Sequence, residues 1–334
     1  MAYTTIDDPS AYFQTETYTG DGGGTRAVTF SGISNLQPDW VWIKNRGTTN
    51  EHLIFDSVRG VQVALNSNDK TTDDSISNSL TAFNSDGFTV AANTSCNANN
   101  NTYVSWNWKE TADAGFDIVS YTGNDTARTI SHSLSAVPKM MIVKCRNVAK
   151  EWTVYHASLG NGKFMELDQT TGVQTATNRW NDTSPTSSVF TVGVDSSVNA
   201  ANQTYIAYLF AEKQGYSKFG SYVANGNANG PFIYLGFKPA FILLANSQNN
   251  GENWLIQDNK RSNTAGTNPN AYFSYVNLNN AETQGSTHHI DMLSNGFKIK
   301  TANGSWNDNG EVYIFMAFAE NPLVTSKGTP TTAR

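Results

Sequence analysis

The chain has 334 residues, with 22 Lys and Arg against 28 Asp and Glu, a formal net charge of -6, a hydrophobic share of 38% and a charged share of 15%. With its 26 Gly added, the apolar content is close to the globular average, which argues against a disordered polymer. The acidic balance and scattered basic residues argue against a general grip on phosphate backbones, and no apolar run approaches the roughly 18 residues of a membrane-spanning helix.

The opening Met1-Ala-Tyr-Thr-Thr-Ile-Asp-Asp lacks the basic and apolar regions of a signal peptide, so cytoplasmic synthesis without Sec export is expected. Tyr18-Thr-Gly-Asp precedes Gly20-Asp-Gly-Gly-Gly-Thr25, which lacks the last Gly of a dinucleotide fingerprint and leads into strand-like Ala27-Val-Thr-Phe, so it reads as a hairpin tip. Pro38 introduces Trp40-Val-Trp-Ile, where a missing N–H costs no ladder bond. Trp40 and Trp42 share one face of that strand, as core or as an aromatic platform for sugar rings. His52-Leu-Ile-Phe-Asp56 follows, with Arg59 three residues beyond Asp56: an ion pair closing a turn, or a glycan-contacting loop. Asp86-Gly-Phe-Thr-Val and the aromatic strand Tyr103-Val-Ser-Trp-Asn-Trp-Lys-Glu complete the series.

The same blocks then recur in the same order. Tyr121-Thr-Gly-Asn, Pro138-Lys-Met-Met-Ile-Val-Lys, Trp152-Thr-Val-Tyr-His156, Ser188-Val-Phe-Thr-Val and Tyr205-Ile-Ala-Tyr-Leu-Phe-Ala-Glu form the second copy. Tyr222-Val-Ala-Asn, Pro239-Ala-Phe-Ile-Leu-Leu, Trp254-Leu-Ile-Gln-Asp258 with Arg261, Asn295-Gly-Phe-Lys-Ile and Tyr313-Ile-Phe-Met-Ala-Phe-Ala-Glu form the third. A period of about 100 residues means tandem domains, since solenoid units run to about 20–50. Short alternating runs, separated by Gly, Asn, Asp and Ser clusters, predict an all-β chain of three tandem β-sandwich domains, jelly-roll or lectin-like, at 1–112, 113–214 and 215–322, with a tail at 323–334.

Counting in twos splits each closing strand into two faces. Val104, Trp106 and Trp108 match Ile206, Tyr208 and Phe210, then Ile314, Met316 and Phe318, and this face reads as core. The opposite face is Ser105, Asn107 and Lys109 in the first copy, but Ala207, Leu209 and Ala211, then Phe315, Ala317 and Ala319, in the others. Strands apolar on both faces are covered on both, so Leu209, Phe315 and Ala317 are expected at a domain or subunit interface while the first copy leaves that face wet.

Enzyme signatures fail on spacing. Gly160-Asn-Gly-Lys163 is followed by Phe164 where a phosphate loop needs Ser or Thr, and no Gly-x-Ser-x-Gly elbow occurs. His288-His289-Ile-Asp291 gathers metal-ligand types, but neighbours on a strand point to opposite faces and no second pair stands at ligand spacing. Glu110, Glu212 and Glu320 recur as strand-end charges. Two cysteines, Cys96 and Cys145, cannot frame a chain this long and read as small hydrophobes. The expectation is a protein without catalytic residues, metal or cofactor.

Several segments resemble a family of tail-fibre-like virion proteins of marine bacteriophages: Met1-Ala-Tyr-Thr-Thr-Ile-Asp-Asp-Pro-Ser-Ala-Tyr-Phe-Gln-Thr, Leu36-Gln-Pro-Asp-Trp-Val-Trp-Ile-Lys, Phe55-Asp-Ser-Val-Arg-Gly, Leu80-Thr-Ala-Phe-Asn-Ser-Asp-Gly-Phe-Thr and Ala211-Glu-Lys-Gln-Gly-Tyr-Ser-Lys-Phe-Gly-Ser-Tyr. The resemblance implies a structural protein of the virion, associated with other virion proteins and with copies of itself, a trimer being the expected oligomer. It implies an appendage that adheres to host-surface glycans; a capsid decoration or connector, and an envelope-polysaccharide depolymerase, are the alternatives.

Overall fold

A computed structural model describes residues 2–261, 268–285 and 289–331. The described chain is nearly all antiparallel β. In the first repeat a six-stranded sheet runs in the order Phe13–Thr19, Thr102–Trp108, Trp40–Asn45, Leu53–Asp56, Val63–Asn66, Asp74–Ser75. The second repeats it with Phe116–Thr122, Thr204–Ala211, Pro138–Cys145, Thr153–His156, Lys163–Glu166 and Gln174–Thr175. The third does so with Ser217–Val223, Val312–Pro322, Phe237–Asn246, Leu255–Asp258, Tyr272–Tyr275 and Thr283–Gln284. Each sheet carries a small second layer, for example Arg26–Val28, Gly87–Val90 and Leu80–Asn84 in the first repeat.

Local chemistry recurs with the sheets. Before each closing strand, one helical turn is capped by a short polar side chain: Asn93 accepts from Ser95 N–H, Asp195 from Ser197 N–H and Asn303 from Ser305 N–H. The first tyrosine of the closing strand then holds the turn, as Tyr103 Oη does by donating to Thr94 O at 2.8 Å and accepting from Ala98 N–H at 2.8 Å. That tyrosine stacks on the opening strand's tyrosine in every copy, with ring centroids at 5.0, 5.1 and 5.2 Å. Asn97, Asn199 and Asn307 are buried behind these turns, and Asn100 and Asn202 take the left-handed conformation that Asn tolerates. Seven asparagines thus serve these turns.

The two faces of each large sheet have different partners. One face packs on its own small layer: Val28, Val41, Ile43, Leu53, Phe55 and Phe88 make the first repeat's local core, and Met141, Val143, Phe190, Val192 and Leu209 the second's. The other face joins a central core shared by all three repeats, with Trp40, Trp106 and Trp108 beside Tyr208, Phe210, Phe241 and Phe318. Trp40 stacks on Tyr208 at 4.8 Å, Phe13 on Phe318 at 5.3 Å, and Trp108 meets Phe241 edge-on at 5.3 Å. The repeats are sandwiches in layering, but they are welded into one body rather than strung in tandem.

This arrangement corrects the expected interface. Leu209 lies in the second repeat's local core, and Phe315 and Ala317 lie in the third's, each under its own small layer. The tryptophan-bearing face is the one that joins repeats. The expectation that the first repeat leaves its other face wet also fails, because Ser105 and Asn107 are fully buried and only Lys109 of that set is exposed. Asn107 donates to Gln14 O and to Ser105 Oγ, each at 3.0 Å. Gln14 in turn donates to Ser10 O and Ser34 O at 2.9 Å and accepts from Gly32 N–H at 2.8 Å. A polar layer replaces the apolar one at that place, with the Asn107 and Gln14 amide donors satisfied and only Asn107 Oδ1 of these amides left without a partner.

Candidate functional site

Neither half of the proposed glycan surface faces solvent. Trp40 and Trp42 are buried in the central core, which leaves no platform for a sugar ring. Asp56 and Arg59 form an ion pair at 2.6 Å, and Asp258 and Arg261 another at 2.6 Å, with all four side chains fully enclosed. Each arginine closes its turn through the aspartate, which also accepts the arginine's own backbone N–H at 2.8 Å and 3.1 Å. The turn reading describes the local geometry. What the sequence did not disclose is the use to which the pairs are put.

Each repeat offers this position to a neighbour, and the pattern closes a ring. Tyr208 Oη of the second repeat donates to Asp56 Oδ2 of the first at 2.7 Å. Trp106 Nε1 of the first donates to Asp258 Oδ2 of the third at 3.0 Å. The second repeat's version should meet Met316, which has no donor, and there the acceptor has been exchanged: His156 stands in place of aspartate, with Nε2 at 3.2 Å from Phe315 O. Ser158 N–H donates to His156 Nδ1 at 3.2 Å, so Nε2 carries the proton and donates to that carbonyl. Burial holds the His156 pKa down at about 4, consistent with a neutral ring.

A second ring lies alongside. His52 Nε2 is 2.8 Å from Tyr275 O, Trp152 Nε1 donates to Asn66 O at 2.8 Å, and Trp254 Nε1 donates to Glu166 O at 3.0 Å. The three donors stand immediately before equivalent strands and the three acceptors end equivalent strands. Backbone bonds make a third ring: Asp73 N–H to Arg146 O, Val173 N–H to Ser247 O and Glu282 N–H to Arg46 O, at 2.7 to 2.8 Å. Charges reinforce two of these seams, through Arg146 with Asp73 at 2.9 Å and Arg46 with Glu282 at 2.8 Å. Where the second repeat meets the third, the same positions hold Leu159, Val173 and Ser247, so the whole charged set is missing together.

The opening strands reveal a further break in symmetry. Ile118 and Phe219 occupy equivalent positions, opposite Tyr208 and Met316, and are buried. Their backbone N–H groups donate to the strand-end glutamate of the preceding repeat: Ile118 to Glu110 at 3.1 Å and Phe219 to Glu212 at 3.4 Å. Burial, and then the Asp117 carboxyl beside it, push the Glu110 pKa up to about 7. At the seam that closes the ring, between the third repeat and the first, the equivalent residue is Thr15, opposite Trp106. Its glutamate counterpart, Glu320, turns instead to Lys238 of its own repeat at 2.9 Å.

A cleft of about 430 Å³ opens at that closing seam. Its walls include Gln14, Thr15, Ser31 and Ile33 from the first repeat, and Lys238, Asn259, Lys260, Glu320 and Asn321 from the third. The formal charges of the lining balance, Asp8 and Glu320 against Lys238 and Lys260; Asp8 accepts from Ser10 and Ser34, and Lys260 Nζ donates to Ser31 Oγ at 3.1 Å. Thr15 is 4% exposed, and its hydroxyl has no partner. This cleft is the candidate site, and none of the six residues proposed in sequence as glycan-contacting lines it, although the strand-end Glu320 does. Alignment of the three opening strands carried the available signal, because Thr15 breaks an Ile and Phe pattern.

Of the histidine cluster, His288 lies outside the described residues. Among those described, no group of three or more His, Cys, Asp or Glu side chains is placed to hold a metal ion, and no helix is long and apolar enough to cross a membrane. Cys96 and Cys145 are free and buried in the local cores.

Fold and site together define an internally threefold, all-β protein whose repeats share one core and whose closing seam is open. A family model described as a domain of unknown function, DUF7483, matches residues 8–322, and the chain belongs to that family. No curated protein matches the chain.

Proposed function

We propose that the protein is a non-enzymatic structural component of a bacteriophage particle, a short tail-fibre-like appendage that associates with other virion proteins, assembles with copies of itself as a trimer, and adheres to host-surface glycans. The observation that supports adhesion most is the closing-seam cleft, a polar concavity carried on a rigid body. Adhesins multiply weak single sites by avidity, which suits one modest cleft per chain displayed in several copies. The recurring acids favour the non-enzymatic reading, since Glu110, Glu212 and Glu320 are each engaged in a seam or ion-pair contact. The virion assignment rests on the sequence resemblance.

The test is localisation and competition. Gold-labelled antibody should decorate an appendage of purified particles, and excess free protein should block infection. Label confined to DNA-filled heads would establish a capsid decoration instead. Release of reducing sugar from host envelope would establish a depolymerase.

A further inference from the structure

We infer that the closing-seam cleft binds a neutral saccharide, held by Asn259 and Asn321 over a floor formed by Thr15. This deepens the adhesion reading and rests on it. At the other two seams the residues equivalent to this lining differ. There the floor position is Ile118 or Phe219, the position of Asn259 is Ser57 or Ala157, and that of Lys260 is Val58 or Ser158. Thr15 and Asn259 thus put a hydroxyl and an amide where the other seams hold apolar or small residues, so the fold does not require them; the position of Asn321 is Thr111 or Lys213.

The polar groups left unpartnered select the ligand. The side-chain amides of Asn259 and Asn321 have no partner among the described residues, and each offers two donors and an acceptor. The Thr15 hydroxyl is nine-tenths buried and unpartnered, although buried hydroxyls are normally satisfied. Net formal charge in the cleft is small, because Asp8 and Glu320 balance Lys238 and Lys260, with Lys238 paired to Glu320 at 2.9 Å. A ligand with interleaved donors and acceptors and no net charge matches these groups, and sugar hydroxyls have that character. Ile33, 90% exposed on the first-repeat side, supplies an apolar contact for a sugar's C–H face. The volume falls within the roughly 300–1,000 Å³ of small-molecule sites.

The experiment applies the full-length protein to a printed panel of neutral hexose and N-acetylhexosamine oligosaccharides with acidic oligosaccharides alongside, and separately to host cells. Thr15→Ile and Asn259→Ala import residues that the other seams already tolerate, so folding should survive, and melting curves check it. Wild type should bind the neutral arm, the double variant should lose at least tenfold, and Tyr234→Ser, an exposed change outside the cleft, should bind as wild type does. Equal binding by wild type and the double variant would overturn the site and leave adhesion standing. Adhesion to cells with binding confined to the acidic arm, or with no binding on the panel, would overturn the ligand class alone. Absence of binding to both cells and panel would overturn the adhesion reading itself.

Discussion

Tyr208→Phe removes one oxygen from the seam between the first two repeats and leaves the ring in place. The lost hydroxyl donates to Asp56 Oδ2 at 2.7 Å, in a site where the Asp56 and Arg59 side chains are fully enclosed. A hydrogen bond to a charged group contributes about 1.5–3 kcal/mol net. Asp56 keeps the Arg59 guanidinium at 2.6 Å and the Arg59 backbone N–H at 2.8 Å, so it is not orphaned, and the loss should fall near 2 kcal/mol. The phenyl ring keeps its stacking on Trp40 at 4.8 Å, which confines the change to the oxygen. Asp56→Ala should cost more, about 3–5 kcal/mol, because Arg59 is then left enclosed with only Asp73, at 3.3 Å, as a carboxylate partner. Urea unfolding at constant pH, read as a shift of midpoint at unchanged slope, measures both. The double variant should lose less than the sum of the singles, since both remove the same contact. A Tyr208→Phe loss below about 0.5 kcal/mol, or strict additivity, would refute the weld.

Three further outcomes follow from the same geometry. His156, held neutral at about 4 against an ordinary value of 6.5, binds fewer protons folded than unfolded between those values. Its stabilising share is whole above pH 6.5 and falls progressively toward pH 4, by about 3 kcal/mol in all, so His156→Asn should flatten acid unfolding in that window. Glu110 has the opposite sign: raised to about 7, it holds a proton that the unfolded chain releases near 4.5, so stability should decline from pH 4.5 to 7 and Glu110→Gln should abolish that slope. Thr15→Val keeps the shape and discards an unsatisfied hydroxyl, so the melting temperature should rise, by the equivalent of about 1 kcal/mol; a fall would show that the hydroxyl has a partner.

Much of the fold was legible because the chain writes it three times. The Pro-led strands at Pro38, Pro138 and Pro239 and the closing strands at Tyr103, Tyr205 and Tyr313 specify equivalent sheets, and alternation specifies which residues share a face. Alternation does not say what lies opposite that face. Trp106 and Leu209 both read as buried, yet one enters the shared core and the other a local core, a distinction made only by how repeats meet. The Asp56, His156 and Asp258 positions were recognisable as one structural place, but their partners Tyr208, Phe315 and Trp106 lie more than 150 residues away in sequence. The cleft was hidden for a related reason: it arises where the last repeat meets the first, and Thr15, set against Ile118 and Phe219, marks that seam as different on the opening strand.

Differential scanning calorimetry of the intact chain tests the shared core most directly. One core welded by rings of hydrogen bonds should unfold in a single transition whose van't Hoff enthalpy equals the calorimetric enthalpy, and Tyr208→Phe should move that whole transition. Three resolved transitions, or a van't Hoff enthalpy near a third of the calorimetric one with only part of the trace responding to Tyr208→Phe, would mean that the repeats stand independently.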